Sequence, residues 1–274
     1  MDQTVVLTFI IVGLIEVILP LAAGYFLTKR LKVKWSVYLW GVGFFIAIQL
    51  IHTPLVLIIQ EPLIALAKEQ NLTVEATIAV FSLVLGILAG LFEEVGRYLV
   101  FKHFFIKKKI ALTTQNSIMF GLGWGGIESM LVGLLVVLTM FSYIAAVPLT
   151  GAQVSELNRT WNGTMTQEQV NFLNEQNEAL MALTPGDLLP SLIERLMTMT
   201  LQITWTMMVY TAVTEGRNRL LVLAIITHAV VDGGAVYLGQ VAGVFALESF
   251  VLVAVVAAIF YLKKTLPALK PTSD

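Results

Sequence analysis

Long apolar runs separated by short, mostly basic connections set the rhythm of this chain. Nearly uninterrupted hydrophobic stretches fall at residues 4–27, 35–60, 76–104, 112–145, 188–214, 219–239 and 242–262. Each approaches or exceeds the roughly 20 residues that a helix needs to cross a bilayer's hydrocarbon. The pattern therefore predicts an all-α fold, a polytopic membrane helix bundle of about seven transmembrane helices. The first run is too long for a signal-peptide core, and its basic residues follow it rather than precede it, so it reads as a retained helix. One sizeable polar segment interrupts the series at residues 148–187. Within it, TQEQVNFLNEQNEAL reads as a short surface helix with Phe172, Leu173 and Leu180 as membrane-facing anchors, or else as a solvated connector. No internal repeat and no linker divides the chain. A single integral-membrane domain over residues 1–274, with an extracytoplasmic loop at about 148–187, is the expected organisation.

Composition agrees with the pattern and charge orients it. Hydrophobic residues make up 57% of the 274 and charged residues 13%, with a mean hydropathy of +0.84. Basic and acidic residues nearly balance, at 17 against 18, which argues against a nucleic-acid partner, since that would need a basic surface. The lipid bilayer is the partner that composition demands. Lys29, Arg30, Lys32 and Lys34 cluster after the first run, Lys102, Lys107, Lys108 and Lys109 after the third, Arg217 and Arg219 after the fifth, and Lys263, Lys264 and Lys270 after the last. The intervening connections hold only Lys68 and Arg159. Because cytoplasmic loops are enriched in Lys and Arg, the N-terminus and residues 148–187 are expected outside and the C-terminus in the cytoplasm. Asn71, Asn158 and Asn162 each begin an N-x-Thr pattern in the outside loops, too common a pattern to establish glycosylation. Cysteine is absent, which removes disulfides, thiol nucleophiles and thiolate ligands together.

The remaining chemistry lies in polar groups inside the apolar runs, where an ionisable side chain is costly unless paired or hydrated and so marks a site. In GLFEEVGRYLV, Glu93 and Arg97 are four residues apart and Glu94 and Arg97 three, so either carboxylate can pair with the guanidinium on the same helix. A structural ion pair needs one glutamate, and the second points to function. Burial and its like-charged neighbour favour a proton-accepting role for it. In GLGWGGIESM, Gly121, Gly123, Gly125 and Gly126 read as close helix contacts. Glu128 beside them has no basic residue within a helical turn, so it requires a partner on another helix, a proton, or water. His228 and Asp232 in THAVVDGG share one helical face. They read as a poised base, ligand or oxyanion donor, or as a structural pair. Lower in rank are His103, expected as a solvated end residue; His52, expected to cap carbonyls freed by Pro54; Glu16, a solitary carboxylate that lines a cavity; and Glu194 and Arg195, structural by depth.

Taken in order, E-E-x-x-R, then G-I-E, E-R and H-x-x-x-D resemble the YhfC-type family of intramembrane proteases, which is similar to the wider group of CAAX prenyl proteases and bacteriocin-processing or immunity enzymes. The resemblance spans about Phe92 to Asp232. It implies a glutamate-activated water attacking a peptide carbonyl in a membrane cavity, with Glu93, Glu94, Glu128, His228 and Gln202 as catalytic residues and Arg97 and Asp232 in support. The E-E-x-x-R spacing differs from the usual CAAX pattern of E-E-x-x-x-R, so a prenylated substrate does not carry over. The family pattern also leads to a histidine eight residues after the glutamate of E-R, where this chain has Gln202, a hydrogen-bond donor but no general base.

These readings imply an intramembrane endopeptidase of a bacterial cytoplasmic membrane, acting on membrane proteins or peptides. His228 and Gln202 would stabilise the oxyanion. The cofactor is either none or a zinc ion held by Glu128 and His228. The alternative is a non-catalytic binding or immunity protein, or a proton-coupled transporter, using the same carboxylates; a degenerate protease retained as a scaffold is a further possibility that Gln202 keeps open. The charge pattern predicts that labels confined to the extracytoplasmic side modify single cysteines placed in residues 148–187 and not one placed at Lys107. Labelling of the 148–187 positions from the cytoplasmic side contradicts this orientation.

Overall fold

A computed structural model describes residues 2–147, 149–160 and 163–266. Asn162 of the third N-x-Thr pattern and the basic Lys270 lie outside the described residues. All the regular elements described are helices: α1 (Gln3–Leu31), α2 (Trp35–Glu69), α3 (Val74–Leu99) continued by a π-helical segment (Val100–Phe105), α4 (Thr114–Ala145), α5 (Gly151–Thr160), α6 (Gln167–Met181), α7 (Pro185–Glu215), α8 (Asn218–Val241) and α9 (Val244–Thr265). Among the described residues, six of these are long and apolar enough to cross a membrane: α1, α2, α3 with its extension, α4, α8 and α9. The protein is an integral membrane protein.

The expected seventh span is α7, which is 31 residues long but falls outside those six. Its composition reflects its surroundings. From Arg195 to Ala212 most of its residues are buried, including Gln202, Thr204, Thr206 and Thr211. A helix enclosed by other helices has no need of a continuous apolar surface. The threonine hydroxyls are satisfied within the helix, Thr204 donating to the Thr200 carbonyl at 2.8 Å, Thr206 to that of Gln202 at 2.7 Å, and Thr211 to that of Met207 at 2.8 Å.

The chain forms two compact units, one comprising residues up to Val17 with Met130–Leu192, the other Ile18–Ser129 with the residues from Ile193 onward. In the first unit Val5, Phe9, Met140 and Tyr143 form a buried cluster. The surface helix expected around residues 166–180 is α6, started by a capping box in which Thr166 and Gln169 satisfy each other's backbone N–H. Of its proposed anchors, Phe172 is exposed while Leu173 and Leu180 are half-buried. The preceding α5 was not legible, because its apolar residues are too few to show a period. Glu16 also belongs to this unit, where the Ser191 hydroxyl donates to its Oε1 at 2.6 Å.

The second unit contains α2, α3, α8, α9 and the adjoining parts of α1, α4 and α7. Helix α2 runs unbroken through Pro54 and Pro62. It packs against α3 and, through Gly41, against α4, and α3 in turn packs along α8 through Gly86 and Gly90. A Cβ at Gly86 would collide with the Ala229 carbonyl and with Gly233, and one at Gly90 with the Ile225 carbonyl and Ala229. Backbone therefore lies against backbone here, a contact that only small residues allow. The glycines of α4 act likewise, Gly125 against Gln202 and Gly123 against the Tyr38 carbonyl. Gly90→Val should force α3 from α8 and lower stability by about 1–3 kcal/mol, read as a fall in the unfolding midpoint in detergent; an unchanged midpoint would show the contact to be dispensable.

Candidate active site

Adjacent side chains on a helix point about 100° apart, so Glu93 and Glu94 reach different neighbours while Arg97, one turn on, can touch both. Arg97 has no exposed surface and lies with its guanidinium over the Trp124 ring, 4.5 Å from the centroid. It donates to Glu94 Oε1, to Glu93 Oε2 at 3.0 Å and to the side-chain carbonyl of Gln202. Trp124 adds a second donor to Glu93 Oε2, its indole N–H lying 2.8 Å away. A charge buried this deeply is tolerable only when paired and hydrogen-bonded, and the sequence supplies both.

Two arms extend from this centre. On one, the Nδ1 of buried His228 lies 2.6 Å from Glu94 Oε1 and its Nε2 3.2 Å from Asp232 Oδ2. The ring stacks on Trp205, centroids 3.9 Å apart and planes within 4°, which fixes its orientation. A carboxylate only accepts, so each of these contacts holds a proton between nitrogen and oxygen. On the other arm, Gln202 turns its amide nitrogen to Glu128 at 2.8 Å and, more loosely, to Glu93 at 3.4 Å. Arg195 of α7 faces Glu128 at 3.6 Å and also pairs with Glu194. The partner that Glu128 requires is thus on another helix.

The sequence-predicted residues Glu93, Glu94, Arg97, Glu128, Gln202, His228 and Asp232 therefore meet in one hydrogen-bonded network. His103 is exposed and lies outside it, as expected. His52 caps no carbonyl: its Nδ1 meets the side-chain oxygen of Gln49 at 3.1 Å, and Gln49 donates from Nε2 to Glu93 Oε1 at 3.3 Å. Sequence reasoning missed Gln49, Trp124 and Trp205, and set Arg195 aside as structural. The signal for Arg195 was the absence of any cation near Glu128 on its own helix; Gln49 showed only as a polar residue three before His52. Aromatic rings in a membrane helix carry no comparable flag.

With the geometry in place, comparison defines the class of protein. A family model described as YhfC intramembrane metalloprotease matches residues 15–264. The chain belongs to this family. It is 30% identical over 182 residues to a protein of Bacillus subtilis (strain 168) named "Uncharacterized membrane protein YhfC", the match covering 63% of each chain. No solved structure matches.

The family description implies a metal, and the donor set here does not fit one. Among the described residues no three His, Cys, Asp or Glu side chains converge as a ligand group. Glu128 and His228, the pair expected to hold zinc, share no partner: one is bonded to Gln202 and Arg195, the other to Glu94 and Asp232. A permanent cation, the Arg97 guanidinium, already fills the space among Glu93, Glu94 and Gln202, and an amide at 202 is a weak ligand. Removing that cation leaves two buried carboxylates face to face. Arg97→Ala should cost about 3–5 kcal/mol in unfolding measurements, and more than Arg195→Ala, whose partner Glu128 is partly exposed; equal, small losses would show that the pairing contributes little.

Proposed function

We propose that the protein is an intramembrane endopeptidase in which Glu93 activates a water molecule without a metal. One observation carries the assignment. Glu93 Oε2 is held by Arg97 and Trp124 and more loosely by Gln202, whereas among the described residues Oε1 is reached only by Gln49, at 3.3 Å, and Gln49 lines a cavity of about 240 Å³. That oxygen is the one assigned to take the proton. Glu94, wholly buried, is committed through Oε1 to Arg97 and His228 and is assigned to holding the histidine.

In the reaction, water oxygen attacks the peptide carbonyl carbon as Glu93 Oε1 takes a water proton. The carbonyl oxygen becomes an oxyanion and accepts the N–H at His228 Nε2, which Asp232 releases. Collapse reforms the carbonyl and breaks the C–N bond, and Glu93 returns its proton to the leaving amine. The products are a carboxylic acid and an amine. Gln202 is assigned a different task from the oxyanion contact expected of it, since its carbonyl faces Arg97 and its amide nitrogen faces Glu128 and Glu93: it joins the two buried arginine–carboxylate groups. Membership of a protease family supports this reading, and membrane-associated peptides are the substrate class it implies.

Purified protein incubated with membrane proteins should generate new peptide termini detectable by mass spectrometry. Glu93→Gln, which keeps shape but cannot take a proton, should slow cleavage by about 10²–10⁴-fold while leaving the protein folded. Full activity in Glu93→Gln rejects the assignment. If wild type cleaves nothing while Glu93→Gln still alters a cellular phenotype, a binding or transport role for the same carboxylates replaces it.

A further inference from the structure

The cavity lined by Gln49, whose amide donates to Glu93, has walls of two kinds. Val56, Leu85 and Val236 give apolar walls, while Gln49, His52, Thr53 and Asp232 are polar, and among the described residues no Lys or Arg lines it. The state of His52 follows from the hydrogen bonds around it. Gln49 donates to Glu93 from Nε2, so its oxygen is the end that faces His52 Nδ1 at 3.1 Å and the Thr53 hydroxyl at 3.2 Å. An amide oxygen only accepts. His52 therefore carries its proton on Nδ1, and its Nε2 is a buried acceptor without a hydrogen-bond partner. Asp232 uses Oδ2 for His228, and its side chain keeps 41% of its surface exposed. The cavity thus offers the Asp232 carboxylate as an accessible acceptor, while the Gln49 amide and the Thr53 hydroxyl donate to Glu93 and to the Gln49 oxygen.

The wider network has the same imbalance. Glu93, Glu94, Glu128, Glu194 and Asp232 are set against Arg97, Arg195 and the proton shared by His228. The cluster stays net negative. In a medium of low dielectric such an imbalance attracts a cation strongly.

We propose that this cavity is a subsite for a basic side chain, lysine or arginine, of the substrate beside the scissile bond. The inference rests on the endopeptidase reading and extends it to a substrate class. The aliphatic stem packs on Val56, Leu85 and Val236, and the charged head donates to Asp232. Acidic and long apolar side chains are disfavoured, the first by charge and the second by covering the Asp232 carboxylate without supplying a donor. A cation on Asp232 also draws that carboxylate from His228, which frees the Nε2–H for the oxyanion, so the subsite and the reacting centre are linked.

The test uses the full chain in lipid nanodiscs and a set of fluorescent membrane peptides that differ at one position, bearing lysine, arginine, norleucine or glutamate, with both binding and cleavage recorded. The lysine and arginine peptides should bind roughly tenfold more tightly than the norleucine peptide. Asp232→Asn should remove the preference, and Val236→Lys, which places a cation in the cavity wall, should remove it while norleucine-peptide binding persists. Equal binding of lysine and norleucine peptides by wild type overturns the subsite, as does a preference unchanged in both variants. Cleavage without a preference sinks the subsite alone. A preference in binding with no cleavage of any peptide leaves the subsite standing and sinks the endopeptidase reading.

Discussion

One buried guanidinium organises the second unit. Arg97 is wholly enclosed, and it touches Glu93 and Glu94 on its own helix, Gln202 on α7 and the Trp124 ring on α4. A lone arginine in this environment would cost several kcal/mol; with its carboxylates and amide in place, charge-assisted hydrogen bonds offset that cost. The arrangement is all-or-none in character, because removing any one partner leaves another buried charge or donor unsatisfied. Its demands explain features that look unrelated. Gly86 and Gly90 let α3 lie against α8, which brings His228 within reach of Glu94. The polar character of α7 follows from its having to deliver Gln202 and Arg195 to the centre rather than face lipid.

The same interaction separates this chain from what its family description implies. A metal site would need the carboxylates and a histidine to converge on an open point. Here the point among Glu93, Glu94 and Gln202 is occupied by a side chain with a permanent charge. Gln202 stands where the family pattern leads to histidine, and it offers what the position requires, an acceptor for Arg97 and donors for Glu128 and Glu93. A neutral histidine has one acceptor and a single donor, so it could serve Arg97 and only one of the two carboxylates, but unlike glutamine it could also take a proton. In the proposed mechanism the chemistry falls to Glu93, with the α7 position left to structure.

Much of this was legible in the sequence. Six helices follow from hydropathy alone, and the E-E-x-x-R and H-x-x-x-D spacings placed five of the central residues on two helical faces. Glu128 announced its need for a distant partner by lacking a near one. What stayed hidden is contact between helices. Nothing in QLIHTP tells that Gln49 reaches Glu93, nor that His52 bonds a side chain instead of a carbonyl, because neither follows from periodicity. Depth alone did not reveal that Arg195 pairs with Glu128, since a long flexible side chain reaches well beyond the level of its own Cα. Helix α7 was expected as an ordinary span, and its threonines and glutamine marked it instead as an interior helix.

The central claim, hydrolysis by a carboxylate held by arginine and not by a metal, is tested most directly by assaying peptide cleavage with protein stripped of metal by chelation, its metal content measured by mass spectrometry, before and after zinc is restored. The account predicts that metal-free protein generates the same new termini at the same rate and that zinc adds nothing. Cleavage that vanishes with the metal and returns in proportion to bound zinc would contradict it.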